Sequence, residues 1–124
     1  MSRQPRLDAP GALHHVMVRG IEGTDIFRSD QDRNDFLVRL AEQCKSEALR
    51  VYAWALLSNH IHLLLRTGNR PISASMRKIL TGYAVKFNRR HRRQGHLFQN
   101  RYKLILLWAT IGTGTKIALM VPFK

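Results

Sequence analysis

Two histidines flank a single isoleucine in the stretch LLSNHIHLLLR, Leu56 to Arg66. On a strand, residues two apart share a face and sit about 6.5 Å from one another along the chain, so the imidazoles of His60 and His62 can converge on one ion. Ile61, Leu63 and Leu65 then share the opposite, core-facing side, with Leu64 and Arg66 on the histidine side. The histidines would not interrupt a core; they would face away from it. Two imidazoles do not fill a coordination sphere, and a divalent cation in phosphodiester chemistry also takes an oxygen ligand, waters and the substrate phosphate. No Asp or Glu lies beyond residue 50. A third protein ligand would therefore be an amide or imidazole such as Gln94, Gln99 or His96, or an acid from the first half of the chain. A bare His-x-His is also compatible with two idle surface histidines, so the context has to decide.

Charge supplies much of that context. The chain of 124 residues carries 21 Lys and Arg against 8 Asp and Glu, a formal +13. All eight acids lie in the first 50 residues, balanced there by eight bases, and the remaining 13 bases follow with no acid among them. Such a half-chain repels itself unless a polyanion neutralises it, and each phosphate contact gains from counterion release. Nucleic acid is the leading partner. An anionic membrane surface or an acidic protein fits less well, because no basic segment reads as a free amphipathic surface helix.

The length suits one domain, and the 44% hydrophobic content argues against disorder. No apolar run is long enough for a membrane span. The N-terminal residues lack the apolar core of a signal peptide, and the single Cys44 cannot form an internal disulfide; both place the expectation in the cytoplasm.

The elements that must position the histidines follow from periodicity. Leu13 to Gly20 alternates as a strand, with Val16 and Val18 on one side and His15, Met17 and Arg19 on the other. His14 and His15 are most simply strand residues, though one could approach the uncovered sheet face. Ser29 or Asp30 can cap a helix over about 30–48, with Phe36, Leu37, Leu40, Ala41, Cys44 and Ala48 at helical spacing; Cys44 reads as core. Residues 50–66 read as two strands joined by a tight Ser58-Asn59 turn. Ile72, Met76, Ile79, Leu80, Tyr83, Ala84 and Phe87 predict a long helix over about 72–91, with Gly95 ending the helical region. A last strand begins near Tyr102 and runs through Leu107. The order strand, helix, strand, strand, helix, strand is the split βαβ pattern of an α+β, ferredoxin-like fold: an antiparallel sheet with both helices on one face. The candidate phosphate-binding residues are Arg77, Lys78, Lys86, Arg89, Arg90, Arg92, Arg93, Arg101 and Lys103, interleaved with Phe98 and Tyr102, which can stack on unpaired bases or pack. GTGTK, Gly112 to Lys116, lacks the spacing of a phosphate-binding loop.

NHIHLLL resembles the His-hydrophobic-His signature of HUH nucleases. With HHVMVRG upstream and FNRRHRRQGHLFQNRYK downstream, the chain resembles the tyrosine transposases of small insertion sequences and their REP-associated relatives, over about Leu13 to Lys103. The resemblance implies a fold that is usually dimeric and binds single-stranded or hairpin DNA, with Mg²⁺ or Mn²⁺ held by His60 and His62. It also implies a tyrosine that attacks the polarised phosphate to give a covalent 5′-phosphotyrosine. In that family the tyrosine lies on a helix after the RYK strand, in a stretch resembling RYIHLNP. Here Lys103 is followed by LILLWATIGTGTKIALMVPFK, which has neither a tyrosine nor that motif.

The expectation is therefore a transposase-like core over 1–103 and an atypical tail over 104–124, altered by a frame shift near residue 103. No resident tyrosine is assigned as nucleophile: Tyr83 falls on the apolar helix stripe, Tyr52 shares a strand face with Trp54 by alternation, and Tyr102 lies in the basic segment. DNA transposition by metal-assisted single-strand cleavage and joining is the function expected from the resemblance. A catalytically silent single-strand DNA-binding remnant is the alternative, and an RNA-binding domain without metal chemistry is weaker because it leaves the histidines idle.

Overall fold

The computed structural model describes residues 11–99, 101–111 and 115–118. Along the chain run β1 (Leu13–Arg19), α1 (Asp30–Lys45), β2 (Leu49–Leu56), β3 (His60–Thr67), α2 (Ile72–Arg90), β4 (Lys103–Ile111) and β5 (Thr115–Ala118). The strands form one sheet in the order β2-β3-β1-β4-β5, each pair antiparallel. Its first four strands are interleaved as the split βαβ pattern requires, and β5 extends the β4 edge. The expected α+β, ferredoxin-like architecture is what the chain adopts.

Both helices cover one face. Val16 and Val18 of β1, Ile61, Leu63 and Leu65 of β3, Phe36 and Leu40 of α1, and Met76, Ile79, Tyr83 and Phe87 of α2 make a single buried cluster. Strand alternation leaves the odd-facing residues of β1 and β3 on the other side. Ser29 caps α1, its hydroxyl accepting from the Asp32 amide, and Asp30 and Asp32 complement the helix N-terminus. The Ser58-Asn59 hairpin closes with the Leu57 amide donating to the His60 carbonyl at 2.9 Å, so the turn is as tight as the sequence implies.

Three local expectations change. The buried stripe of α1 is Asp32, Phe36, Leu40 and Gln43; Ala41 is exposed and Cys44 only half-buried. Each lies one position on from a stripe residue, and about 100° of helical rotation carries it off the core face. α2 ends at Arg90, ahead of Gly95, because Arg92 takes a left-handed φ of 52° and breaks the run first. Gly95, with φ of 90°, shapes the loop beyond. The last strand runs past Leu107 to Ile111 and pairs with β5, which periodicity did not signal. The expected change of texture at 103/104 thus falls at the start of β4, and residues 112–114 and 119–124 lie outside the described residues.

Gly20 closes β1 with no room to spare. A Cβ there would stand 2.1 Å from the Thr24 carbonyl oxygen and 3.0 Å from the Ile26 side chain. Backbone cannot yield as a flexible side chain can, so Gly20→Ala is expected to cost about 1–3 kcal/mol of unfolding free energy, by analogy with overpacked cores. Urea denaturation checks this.

Candidate metal and nucleic-acid site

His60 and His62 project from β3 on the face away from the helices. Their neighbours Ile61 and Leu63 are essentially fully buried, while both histidines are half-buried. The two rings stand with centroids 4.9 Å apart and planes at 83°. The Asn59 Oδ1 lies 2.8 Å from His60 Nδ1. A carboxamide oxygen only accepts, so Nδ1–H donates to it and the Nε2 lone pair is left facing outward.

His62 is held differently. The register pairs Met17 with His62, Arg19 with His60 and His15 with Leu64, so His15 lies diagonally across from His62 on the same face. His15 Nε2 stands 3.0 Å from His62 Nδ1, with ring planes 13° apart and centroids 5.2 Å apart. His15 is only 5% exposed, and His14, on the opposite side of β1, is enclosed in the helix-covered core. Of the two adjacent histidines, His15 is the one on the uncovered face. Burial first, and then the neighbouring His62, hold the His15 pKa below the ordinary 6.5. Burial, then His60 and Arg19, do the same for His62. Both rings are therefore held as neutral imidazoles near neutral pH, the form that donates a lone pair.

The donor set fits a divalent ion as a pair of imidazoles and no more. Among the described residues, no group of three or more His, Cys, Asp or Glu side chains gathers as a metal cage. Other positions would fall to water and phosphate oxygens. Of the amide and imidazole candidates for a third ligand, Gln99 lines a cavity of about 300 Å³ together with Arg19, Asn59 and His60. Its backbone N–H donates to the Arg19 carbonyl at 3.0 Å, which fixes the segment beside the end of β1. His96 lines a different groove, against α2, and Gln94 is exposed in the loop after α2.

The cationic surface is divided by the sheet. On the histidine side, Arg19 and Lys103 project from neighbouring strands through the pairings Arg19 with His60 and Met17 with Lys103. They line a cavity of about 350 Å³ with Arg101, Tyr102 and Gln99. Arg77 and Arg101 line a larger groove of about 730 Å³ between α2 and the segment through Leu97 to Tyr102. Lys78, Lys86, Arg89 and Arg92 are exposed on α2 or just past its end, so these four belong to the helix side and not beside the histidines. Arg90 is committed to the fully buried Asp32. Arg93 donates to Asn88 Oδ1 and to the Gly95 and His96 carbonyls, tying down the loop. Arg19 and His15 are the site residues that periodicity missed. Their type and strand face were readable, but their apposition to His60 and His62 required the β1–β3 register.

The tyrosines separate clearly. Tyr83 is fully buried and its hydroxyl donates to the Ile26 carbonyl; burial, and then Asp32 and Asp35, push its pKa far up, so the phenol stays protonated. Tyr102 and Phe98 pack, partly buried, against the core cluster.

The site is thus a pair of imidazoles on the uncovered face of a two-helix α+β sheet, with cationic side chains on the same side. Solved structures share the fold. A REP-associated tyrosine transposase bound to a REP hairpin matches with TM-score 0.65 and 17% identity, over 86% of this chain and 62% of that one. A proposed transposase from Deinococcus radiodurans R1 matches with TM-score 0.60 and 14% identity, over 84% of this chain and 85% of that one. This chain thus spans about 62% of the length of the REP-associated protein. A search of curated proteins returns no match. The IS200-like transposase family matches residues 11–113, and the chain belongs to that family. Among the described residues, no helix is long and apolar enough to cross a membrane.

Proposed function

We propose that this chain carries the DNA-binding and metal-holding half of a transposition enzyme that cleaves and joins single-stranded or hairpin-bearing DNA. The observation that carries the reading is the His60–His62 pair on the uncovered sheet face, His62 held neutral by burial, with Arg19, Arg101 and Lys103 on the same side. His60 and His62 would hold Mg²⁺ or Mn²⁺, which when bound supplies Lewis-acid polarisation of the scissile phosphate. Asn59 and His15 orient the two rings, and Arg19, Arg101 and Lys103 bind the phosphodiester backbone. The structural neighbour bound to a REP hairpin supports hairpin DNA as the ligand class. Dimerisation with a second copy is part of the same proposal, and light scattering of the purified chain checks it.

Nicking of a hairpin-bearing oligonucleotide that requires Mn²⁺ and is lost in His60→Ala and His62→Ala is the expected result. A loss of about a hundredfold in rate is expected on removal of either imidazole, since among the described residues no cluster of three or more His, Cys, Asp or Glu gathers to compensate. Nicking that persists in both variants sinks the metal role.

A second reading has its own observation. Tyr83 is sealed in the core and Tyr102 packs against it, while Tyr52 pairs alongside the Arg66 end of β3, about 13 Å along the strand from His62. None of these phenols serves as the nucleophile on this reading. On this reading the chain is a silent DNA-binding module, with 104–124 as an altered tail. Salt-sensitive binding of single strands with no nicking in Mn²⁺ distinguishes it. Equal binding of any RNA with no metal effect would remove both readings.

A further inference from the structure

Tyr52 is where the alternation of β2 breaks. The pairing with β3 steps from Val51 opposite Leu65 to Ala53 opposite Leu64, leaving Tyr52 with no partner of its own. A bulge of this kind bends the strand and re-aims a side chain. Strict alternation would put Tyr52 and Trp54 on one face. Instead, Trp54 lines a groove with Asp30, Arg33 and Leu37 of α1, on the helix side. The Tyr52 ring lies under the Arg66 guanidinium, 5.8 Å from ring centroid to Cζ. Arg66 alternates with the buried Leu65 and so shares the face of His60 and His62. Tyr52, 47% exposed, therefore stays on the face that carries the histidine pair, while the bulge turns Trp54 to the other side.

The surroundings favour a nucleic-acid strand as what covers that ring. Arg50 stands opposite Arg66 across the two strands, and no Asp or Glu occurs after Glu47. A guanidinium over an exposed ring offers a flat apolar surface and a positive charge together. An unpaired base with its phosphate uses both, whereas in a duplex the base faces are already stacked.

We infer that Tyr52 and Arg66 form a stacking platform for one unpaired base of the DNA strand whose backbone passes the His60–His62 pair. This rests on the proposed function, because it assumes a strand crossing that face. Tyr52 is then a binding residue, not a nucleophile: its ring takes the base and Arg66 takes the adjoining phosphate. The platform lies roughly 13 Å along β3 from His62, so it holds the strand at a distance from the reacting phosphate and favours single strands over duplex.

Fluorescence anisotropy with a labelled oligo(dT) and a matched duplex tests the inference, comparing wild type, Tyr52→Phe, Tyr52→Ala and Arg66→Gln, with thermal unfolding of each. Tyr52→Ala is expected to weaken single-strand binding by roughly tenfold to a hundredfold. Tyr52→Phe should bind like wild type, and duplex affinity should not change. Arg66→Gln should flatten the log–log salt dependence by about 0.7, the slope of one single-strand phosphate contact. A photo-crosslink from an iodouracil-bearing strand to Tyr52 in the wild-type protein supports the platform without any variant, and a crosslink confined to other residues overturns it. Unchanged single-strand affinity in a folded Tyr52→Ala, or an equal loss on duplex, overturns the platform while leaving the proposed function standing. Wild type that shows no salt-sensitive single-strand binding overturns both.

Discussion

Asp32→Ala is expected to destabilise the protein by about 3–5 kcal/mol, the cost typical of breaking a buried ion pair from one side. The Asp32 side chain has no exposed surface. It accepts from the Arg28 amide at 2.9 Å, from the Arg90 guanidinium, and from His91 Nε2 at 2.9 and 3.1 Å. These contacts join the first turn of α1 to the end of α2, where the acid and the bases also complement the two helix dipoles. Alanine would leave the Arg90 guanidinium partly buried without its counter-charge and His91 Nε2 without its hydrogen-bond partner. Asp32→Asn should cost less, because it keeps the shape and one acceptor. Burial raises the Asp32 pKa, but hydrogen bonds from Arg28, Arg90 and His91, with the His91 charge, outweigh it and hold it below the ordinary 3.8. A depressed folded-state pKa gives stability that is complete above the unfolded value and is lost as the pH falls through the folded one. Wild type should therefore lose stability below about pH 4 in a step that Asp32→Asn lacks. Urea midpoints measured between neutral and acidic pH read both effects. A loss within about 0.5 kcal/mol, as for an ordinary surface change, would remove the clamp.

The second large effect concerns His15. For His62 Nε2 to offer a lone pair, as His60 Nε2 can with its Nδ1–H on Asn59, His62 Nδ1–H must donate to His15 Nε2, 3.0 Å away. His15→Phe keeps the buried volume roughly filled but removes the acceptor. Outer-shell losses of this kind cost about ten- to a hundredfold in metal affinity, and that is the expected drop in Mn²⁺ binding measured by titration calorimetry. His15→Gln, whose amide oxygen can accept, should recover part of it. Nitrogen chemical shifts of the His62 ring supply a readout independent of turnover. They should report a single tautomer in wild type and a mixture in His15→Phe. Mn²⁺ affinity equal to wild type in a folded His15→Phe would mean that His62 is oriented by something else.

The division of the basic surface bears on any DNA path. Arg19, Arg101 and Lys103 stand on the histidine side, whereas Lys78, Lys86 and Arg89 stand on α2, across the sheet. A strand that touches both sets has to pass round the sheet, and the groove between α2 and the segment from Leu97, lined by Arg77 and Arg101, offers one route. Arg90 offers little to such a path, since Asp32 already neutralises it.

What was legible in the sequence is what the backbone repeats locally. The two-residue period of a strand put His60 and His62 on one face and Ile61, Leu63 and Leu65 on the other, before any partner strand was known. The 3.6-residue period outlined α2 to within a residue at each end, and the Ser58-Asn59 turn followed from residue type. Long-range apposition was not legible. His15 meets His62 across 47 positions, and Asp32 meets Arg90 and His91 across 58 and 59. Nothing in local spacing encodes such pairs; they follow from which strands become neighbours and in what register. A single extra residue in β2 put Tyr52 and Trp54 on opposite faces, because a period of two turns any one-residue slip into a change of side. The sequence by itself determined six of the elements and the faces of β1, β3 and α2. Only the tertiary structure decided which charges neutralise one another and which rings orient the histidines, because those depend on register and packing between segments distant along the chain.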